Sequence, residues 1–334
     1  MRNFMNHTLL LLLLIFATVA CDVHHDPVGG EDVALTLHLR FDKGIVPWHT
    51  IEVPTRAAGG ANFQVRYTLR LFRYVSGTWE RTPAYETTFY GDNLADPDCD
   101  VELSVAPANY RVAVWTDCEN SGKPYYDASD FGEIQMAITD GNDEYRAAWF
   151  CADDLELAPI LTVGSTWEQT LHLVRPHARY RVIATDKDEF LSYWASQLAQ
   201  RSGAMVKDIE ALDINKFHVR YTYPQYLPSA FSIFADRPVD ARTNISFDAP
   251  MVLNEDGTVS LGFDYVLVGQ DEGSVVVTLT FYDENWEAVS SIPNIEIPLK
   301  RSALTTVTGK ILTHGIASGI SIDPTYDGEY NIVL

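Results

Sequence analysis

The chain has 334 residues, with 24 Lys and Arg against 46 Asp and Glu, for a formal net charge of −22. That length suits two domains, each able to bury its own core; the content of 46% hydrophobic and 12% aromatic residues excludes a disordered or collagen-like chain. So negative a surface repels phosphate backbones, and no local Lys/Arg cluster relieves it, which argues against nucleic acid as a partner.

Residues 1–20 differ from everything that follows. Arg2 is the one charged residue, an apolar run from Leu9 to Ala17 follows, and Thr18-Val19-Ala20 leads into Cys21. The run is too short to span a bilayer and has the order of a secretory signal peptide, so the chain is expected to be exported. A small residue followed by cysteine resembles the lipobox of bacterial lipoproteins, which implies lipidation of Cys21 and a tether to the outer membrane. The alternative is an ordinary secreted protein whose Cys21 is a structural thiol. Residues 21–30, with His24, His25, Asp26, Gly29 and Gly30, are polar and turn-prone and read as a flexible leash. The acidic residues after Cys21 also resemble surface-export signals of Bacteroidetes lipoproteins.

Beyond the leash, period-two alternation dominates. Val33, Leu35, Leu37, Leu39 and Phe41 alternate with polar residues, as do Phe63, Val65, Tyr67, Leu69 and Leu71. The acidic stretch 92–100 invites a calcium reading. An EF-hand loop starting at Asp96 fails, because Val101 and Pro107 stand where Gly and Glu are required. A solvated loop is the simpler reading, with a generic surface calcium site as the alternative.

Val101, Leu103 and Val105 alternate up to Pro107-Ala108-Asn109-Tyr110, and Val112 and Val114 alternate beyond it. A two-residue loop at Ala108-Asn109 sets Val105 opposite Val112 and Leu103 opposite Val114. That register predicts a Cys99–Cys118 disulfide, worth about 3 kcal/mol through loop closure; two unpaired thiols are the alternative. Cys151 is left over as a small buried hydrophobe.

A boundary is expected near residue 175, where Arg175-Pro176 interrupts the pattern before Tyr180-Arg181-Val182-Ile183. One helix is expected from about Asp188 to Ser202, with Phe190, Leu191, Trp194 and Leu198 on one face and Gly203 as its cap. Strands return at Phe217-Val219-Tyr221, Val275 to Phe281 and Ile295-Ile297, and a short apolar strand, 330–334, closes the chain. The fold expected is therefore all-β: two tandem antiparallel sandwiches over 31–174 and 175–334, with one short helix in the second.

Signals for chemistry are sparse. The nine His are dispersed, and no His-Glu-x-x-His occurs. Gly315-Ile316-Ala317-Ser318-Gly319 places its Ser one position late for a nucleophile elbow. Accordingly no catalytic residue, metal or cofactor is expected. The seven Trp (48, 79, 115, 149, 167, 194 and 286) include candidates for sugar stacking on an exported sandwich, although core or interface packing is the simpler role. Trp115 points away from the face of Val114, onto the outer sheet surface or under a loop.

Three further stretches carry a family resemblance. Leu173 to Tyr180 resembles the R-P-x-A element that opens the second domain of Bacteroidetes fimbrial lipoproteins. Ala108 to Asp117 resembles their Y-x-x-x-x-W-x-D strand, and Ile297 to Thr313 resembles their closing strand pair. With the lipobox, the order of these motifs resembles the fimbrillin-associated anchor or minor-subunit proteins. The resemblance implies two transthyretin-like (Ig-like) sandwiches, a lipid tether, fimbrial stalk subunits as partners and a non-catalytic role at the cell surface. Stalk subunits of that family lose an N-terminal strand by proteolysis and pair by strand donation, whereas an anchor keeps its lipidated N-terminus. The alternative function is a surface glycan-binding lipoprotein using exposed aromatics.

Overall fold

A computed structural model describes residues 32–42, 63–93, 96–158, 165–202, 212–270, 272–314 and 329–333. The leader, Cys21, the 21–30 leash, Trp48, Gly203 and the Gly315–Gly319 stretch lie outside the described residues.

The first half contains β1 (Val33–Phe41), β2 (Phe63–Val75), β3 (Thr78–Trp79), β4 (Tyr85–Gly91), β5 (Cys99–Val105) and β6 (Asn109–Asn120). It continues with the short β7 (Lys123–Pro124), β8 (Tyr126–Asp127) and β9 (Ile134–Met136), then β10 (Trp149–Glu156) and β11 (Thr166–Leu173). The second half runs β12 (His177–Ala184), α1 (Lys187–Ser202), β13 (His218–Tyr223), β14 (Leu227–Ser232), β15 (Arg237–Arg242), β16 (Ile245–Pro250) and β17 (Val252–Leu253). It ends with β18 (Val259–Leu267), β19 (Gly273–Tyr282), β20 (Ala288–Leu299), β21 (Leu304–Gly309) and β22 (Glu329–Val333).

Each half is a sandwich, and the two share one seven-strand plan. In the first, a β5-β1-β11 sheet faces a β4-β2-β6-β10 sheet; in the second, β18-β12-β21 faces β16-β13-β19-β20. The opening strand of each half sits in the middle of its sheet, antiparallel to one neighbour and parallel to the last strand of that plan. The sheets are therefore mixed, with parallel pairs at β1–β11, β12–β21 and β21–β22. Two edge strands of the second half, β17 beside β18 and β22 beside β21, have no counterpart in the first half among the described residues. The repeat is one of connectivity, because any apolar side chain of suitable volume fills an alternating strand.

The alternating strands form where expected, as does the helix, which buries Phe190, Leu191 and Trp194 against Phe217. The expected β5–β6 hairpin does not form. β5 pairs with β1, with Leu103 opposite Leu35, while β6 pairs with β2 and β10, with Val114 opposite Leu69 and Cys151. The connection at 106–108 is thus an arch from one sheet to the other, and Val105 and Val112 enter the same core from different sheets. Tyr110 braces it by donating to the Ala106 carbonyl at 2.8 Å, and Tyr85 Oη accepts from the Ala106 amide at 2.9 Å. The Cys99–Cys118 disulfide fails with its register: no bond joins the two thiols. Cys99 packs at the edge of the first sandwich core on β5, whereas Cys118 is buried near the far end of β6, opposite Val65 of β2.

The outward side of β6 is the key to how the halves join. The outer face of the β2–β6 sheet, carrying Arg70, Phe72, Ala113 and Trp115, is covered by a fifth sheet of order β15-β14-β9-β8. Two of its strands come from each half, joined at Phe231 opposite Ile134 and Ala230 opposite Gln135. Trp115 lies under this composite sheet against Tyr126 and Phe231, and Arg70 sits over the Phe131 ring.

A buried ionic network completes the junction. The loop before β10 passes from Gly141, whose Cα approaches Phe247 too closely for any side chain, to a single 3-10 turn, Glu144–Arg146. Asp143 caps that turn by accepting from the Tyr145 amide, and its other oxygen accepts from Tyr125 Oη at 2.7 Å. Arg146 enters the second half, pairs with Asp264 and donates to the Tyr265 carbonyl at 3.1 Å. Asp264 also accepts from Tyr223 Oη at 2.5 Å, whose oxygen meets Tyr180 Oη at 2.7 Å. In return, Arg179 pairs with Glu144 at 2.5 Å and lies over the Phe263 ring, and Tyr265 Oη donates to the other Glu144 oxygen at 2.9 Å. His177 Nε2 lies 2.7 Å from Tyr126 Oη. The Arg-Pro-His-Ala-Arg segment noted in the sequence therefore forms half of this junction, with Arg175 over the Trp149 ring.

Burial pushes the Asp264 and Glu144 carboxyls up and the His177 imidazole well down, the latter helped by Arg146, Arg175 and Arg301. Breaking a buried pair strands its partner's charge, so Arg146→Met is expected to cost about 3–5 kcal/mol in urea unfolding. Adding Asp264→Asn, which removes the stranded charge and keeps an acceptor for Tyr223, is expected to recover about half of that loss.

The pH dependence follows from the same burial. Below about pH 6.5 the unfolded chain protonates His177 and the folded one does not, so this residue lowers stability as pH falls, by at most about 1.4 kcal/mol per pH unit. Asp117, pushed up to about 6 by burial, acts oppositely: its folded form takes up a proton first, so it adds stability as pH falls through that value. Subtracting the unfolding free energies of His177→Gln from those of the parent between pH 7 and 5 should isolate the destabilising slope.

Candidate assembly and recognition surfaces

β1 follows directly on the leash and is the central strand of the β5-β1-β11 sheet. Val33, Leu35, Leu37, Leu39 and Phe41 are all buried, contributing about 1.5–3 kcal/mol each. Both backbone edges are used, with β11 alongside from Ala34 to Phe41 and β5 alongside from Val33 to Leu39. The far end is latched by side chains. Asp98 accepts from the Phe41 amide at 2.9 Å, Trp149 Nε1 donates to the Asp42 carbonyl at 3.0 Å, and the Asp42 amide donates to the Leu173 carbonyl at 2.8 Å.

The acidic stretch before β5 thus has a structural use. Asp98 caps β1, the Pro97 carbonyl accepts from Tyr67 Oη, and Asp100 is held low by its hydrogen bonds to His38 and Arg40. Asp117, the acid of the Y-x-x-x-x-W-x-D strand, is gripped by both arms of Arg66 at 2.8 and 2.7 Å, and Arg66 donates as well to the Tyr126 carbonyl. These carboxylates serve the fold.

Sheet edges differ in their protection. β15 carries Arg237, Pro238, Asp240 and Arg242, which oppose strand addition. β4 reads Tyr-Glu-Thr-Thr-Phe-Tyr-Gly, with one charge and no proline, and its outer edge pairs with no other described strand. β22 closes the second half as a parallel edge strand beside β21.

Of the tryptophans, Trp115, Trp149 and Trp194 are core, and Trp79 and Trp167 are half-buried. Trp286 alone among the described ones is exposed, at 46%. It stands on the turn between β19 and β20, its ring stacked on His218 with centroids 4.6 Å apart and planes 3° off parallel. A cleft of about 120 Å³ beside that turn, lined by Trp194, Phe217, Lys216 and Asp283 among others, falls below the 300–1,000 Å³ usual for ligand pockets. Among the described residues no cluster of His, Cys, Asp and Glu forms a metal-binding group, and no helix is long and apolar enough to cross a membrane.

Two mixed-sheet sandwiches fused through a composite layer define the class of protein. The chain belongs to a family of unknown function (DUF6562), whose model matches residues 27–334. No curated protein matches it. It is similar to solved structures from Bacteroides and Porphyromonas species. One is described as a putative polysaccharide binding protein (DUF1812) of Bacteroides thetaiotaomicron, at 11% identity over 78% of this chain and 80% of that one, TM-score 0.44. Another is a putative adhesin from Bacteroides ovatus, at 10% identity over 90% and 89%, TM-score 0.43. A third is the fimbrial anchor protein Mfa2 from Porphyromonas gingivalis, at 9% identity over 79% and 82%, TM-score 0.37.

Because Leu37 is wholly buried at the centre of β1, Leu37→Ala is expected to cost about 2–5 kcal/mol in denaturant unfolding. Thr36→Ala, on the open face of the same strand, is expected to stay within about 0.5 kcal/mol.

Proposed function

We propose that the chain is a lipid-anchored structural subunit at the cell surface, an anchor or accessory subunit of a fimbria, which joins its neighbours through β-strand edges and performs no catalysis. The observation that carries this reading is the seating of β1. In the family that the sequence resembles, a stalk subunit vacates its first strand position and accepts a strand from a neighbour. Here that position is filled by the chain's own β1, buried along its inner face, paired on both edges and latched at its end by Asp98 and Trp149. A subunit so closed accepts nothing there and offers other edges instead, with β4 the least protected of those considered. Main-chain hydrogen bonds along such an edge supply affinity, and the alternate side chains supply selectivity.

The lipid signal at Cys21 supplies the tether, since two or more acyl chains hold a protein on a membrane stably. Metabolic labelling with an alkyne fatty acid is expected to mark the parent and not Cys21→Ser, and the variant is expected to leave the outer-membrane fraction. Crosslinking on intact cells followed by purification of the chain is expected to recover fimbrial stalk subunits. An unlabelled parent, or a crosslinked fraction without any fimbrial subunit, would overturn the proposal.

A further inference from the structure

The outward face of the β16-β13-β19-β20 sheet is organised in rows that cross its strands. Asp248, Arg220, Thr280 and Ser291 stand opposite one another in sequence across the four strands, giving an unbroken polar row. Arg220 grips Asp248 with both arms at 2.7 and 3.0 Å, and Thr280 Oγ1 lies 3.2 Å from Ser291 Oγ. The adjacent row is Pro250, His218, Tyr282 and Ala288, and its aromatic members meet Trp286. Neighbouring rows on one face are about 6.8 Å apart, twice the rise per residue of a strand.

Trp286 is placed there at a conformational cost. Its φ is +62°, the left-handed region that a bulky aromatic residue rarely adopts. The turn is nonetheless well built: Asp283, itself buried, accepts from the Asn285 and Glu287 amides, and the Asp283 and Trp286 amides donate to the Glu287 and Asp283 carbonyls. His218 covers one face of the indole, the Arg220 guanidinium lies 5.8 Å from its centroid and Tyr282 packs at a tilt 5.7 Å away, and with these neighbours in place Trp286 keeps 46% exposure. The platform is thus rigid, backed and open.

We propose that this face is a binding site for a neutral glycan, with a pyranose unit packed on the solvent-exposed part of the Trp286 indole and its hydroxyls turned to the Asp248–Arg220–Thr280–Ser291 row. Several features select that ligand class. A flat indole matches the C–H face of a sugar ring, and a row offering both donors and acceptors suits hydroxyl groups. Arg220 is already neutralised by Asp248, and the chain carries a net charge of −22, so an anionic polymer is disfavoured. An apolar peptide finds little to bury against Thr, Ser and a satisfied ion pair. The site does not depend on the fimbrial reading, and its test leaves that reading untouched.

The test is native electrophoresis of the full chain in gels carrying soluble mannan, galactan, arabinoxylan or laminarin, against a gel with none. At least one polymer is expected to retard the parent. Trp286→Gly should weaken that retardation about tenfold or more, Trp286→Phe should keep part of it, and Trp79→Ala, in the β2–β3 hairpin, should leave it unchanged. Glycine suits the left-handed backbone, so the unfolding midpoint of Trp286→Gly should equal or exceed that of the parent, separating lost binding from lost fold. No retardation by any of the four polymers would overturn the proposal, as would retardation that Trp286→Gly leaves intact.

Discussion

Arg146 enforces the architecture. A guanidinium buried as deeply as this one must meet a carboxylate, and its partner Asp264 belongs to the other half of the chain. The reciprocal pair runs the opposite way, from Arg179 in the second half to Glu144 in the first. Separating the halves would strand four charges at once. The two sandwiches, alike in connectivity, therefore do not behave as beads on a linker, and the composite sheet, with its backbone pairing between β9 and β14, makes the same point in hydrogen bonds. Such networks contribute little net stability compared with apolar packing, but they penalise every other way of docking the halves.

Much of the fold was legible because its long strands are half-buried, and half-burial writes itself as alternation. β1, β2, β13 and β19 were read this way, and the helix from its apolar face. The β5–β6 hairpin was misread for an instructive reason. Val101, Leu103 and Val105 point into the same core as Val112 and Val114, but from opposite sheets. Alternation reports which face is buried and is silent on whether two strands lie side by side or face to face. A two-residue turn at Ala108-Asn109 was one closure of that pattern; the arch braced by Tyr85 and Tyr110 is the other, and the proposed disulfide went with the first.

The junction was hidden for a different reason. Glu144, Arg146, Arg179 and Asp264 look in sequence like ordinary surface charges, and β8, β9, β14 and β15 are too short or too irregular to show a period. A trace existed: Asp264 interrupts the apolar run Phe263 to Val268, and Arg175, His177 and Arg179 crowd the start of β12. Charges set inside a stretch that is otherwise core were the available signal. Trp286 was visible as one of seven candidates, but its distinction is its left-handed turn and its rank beside the polar row, which depend on how four distant strands align.

The way β1 is held also fixes how the molecule answers a mechanical load. A pull entering ahead of Val33 acts along the axis of a strand bonded on both sides, so every rung to β11 and β5 shares the force in shear and none can be opened singly like a zip. Resistance of that kind grows with the number of rungs, and it comes from a strand whose side chains already anchor the first core. Traction on the amino end would be borne by the whole sandwich.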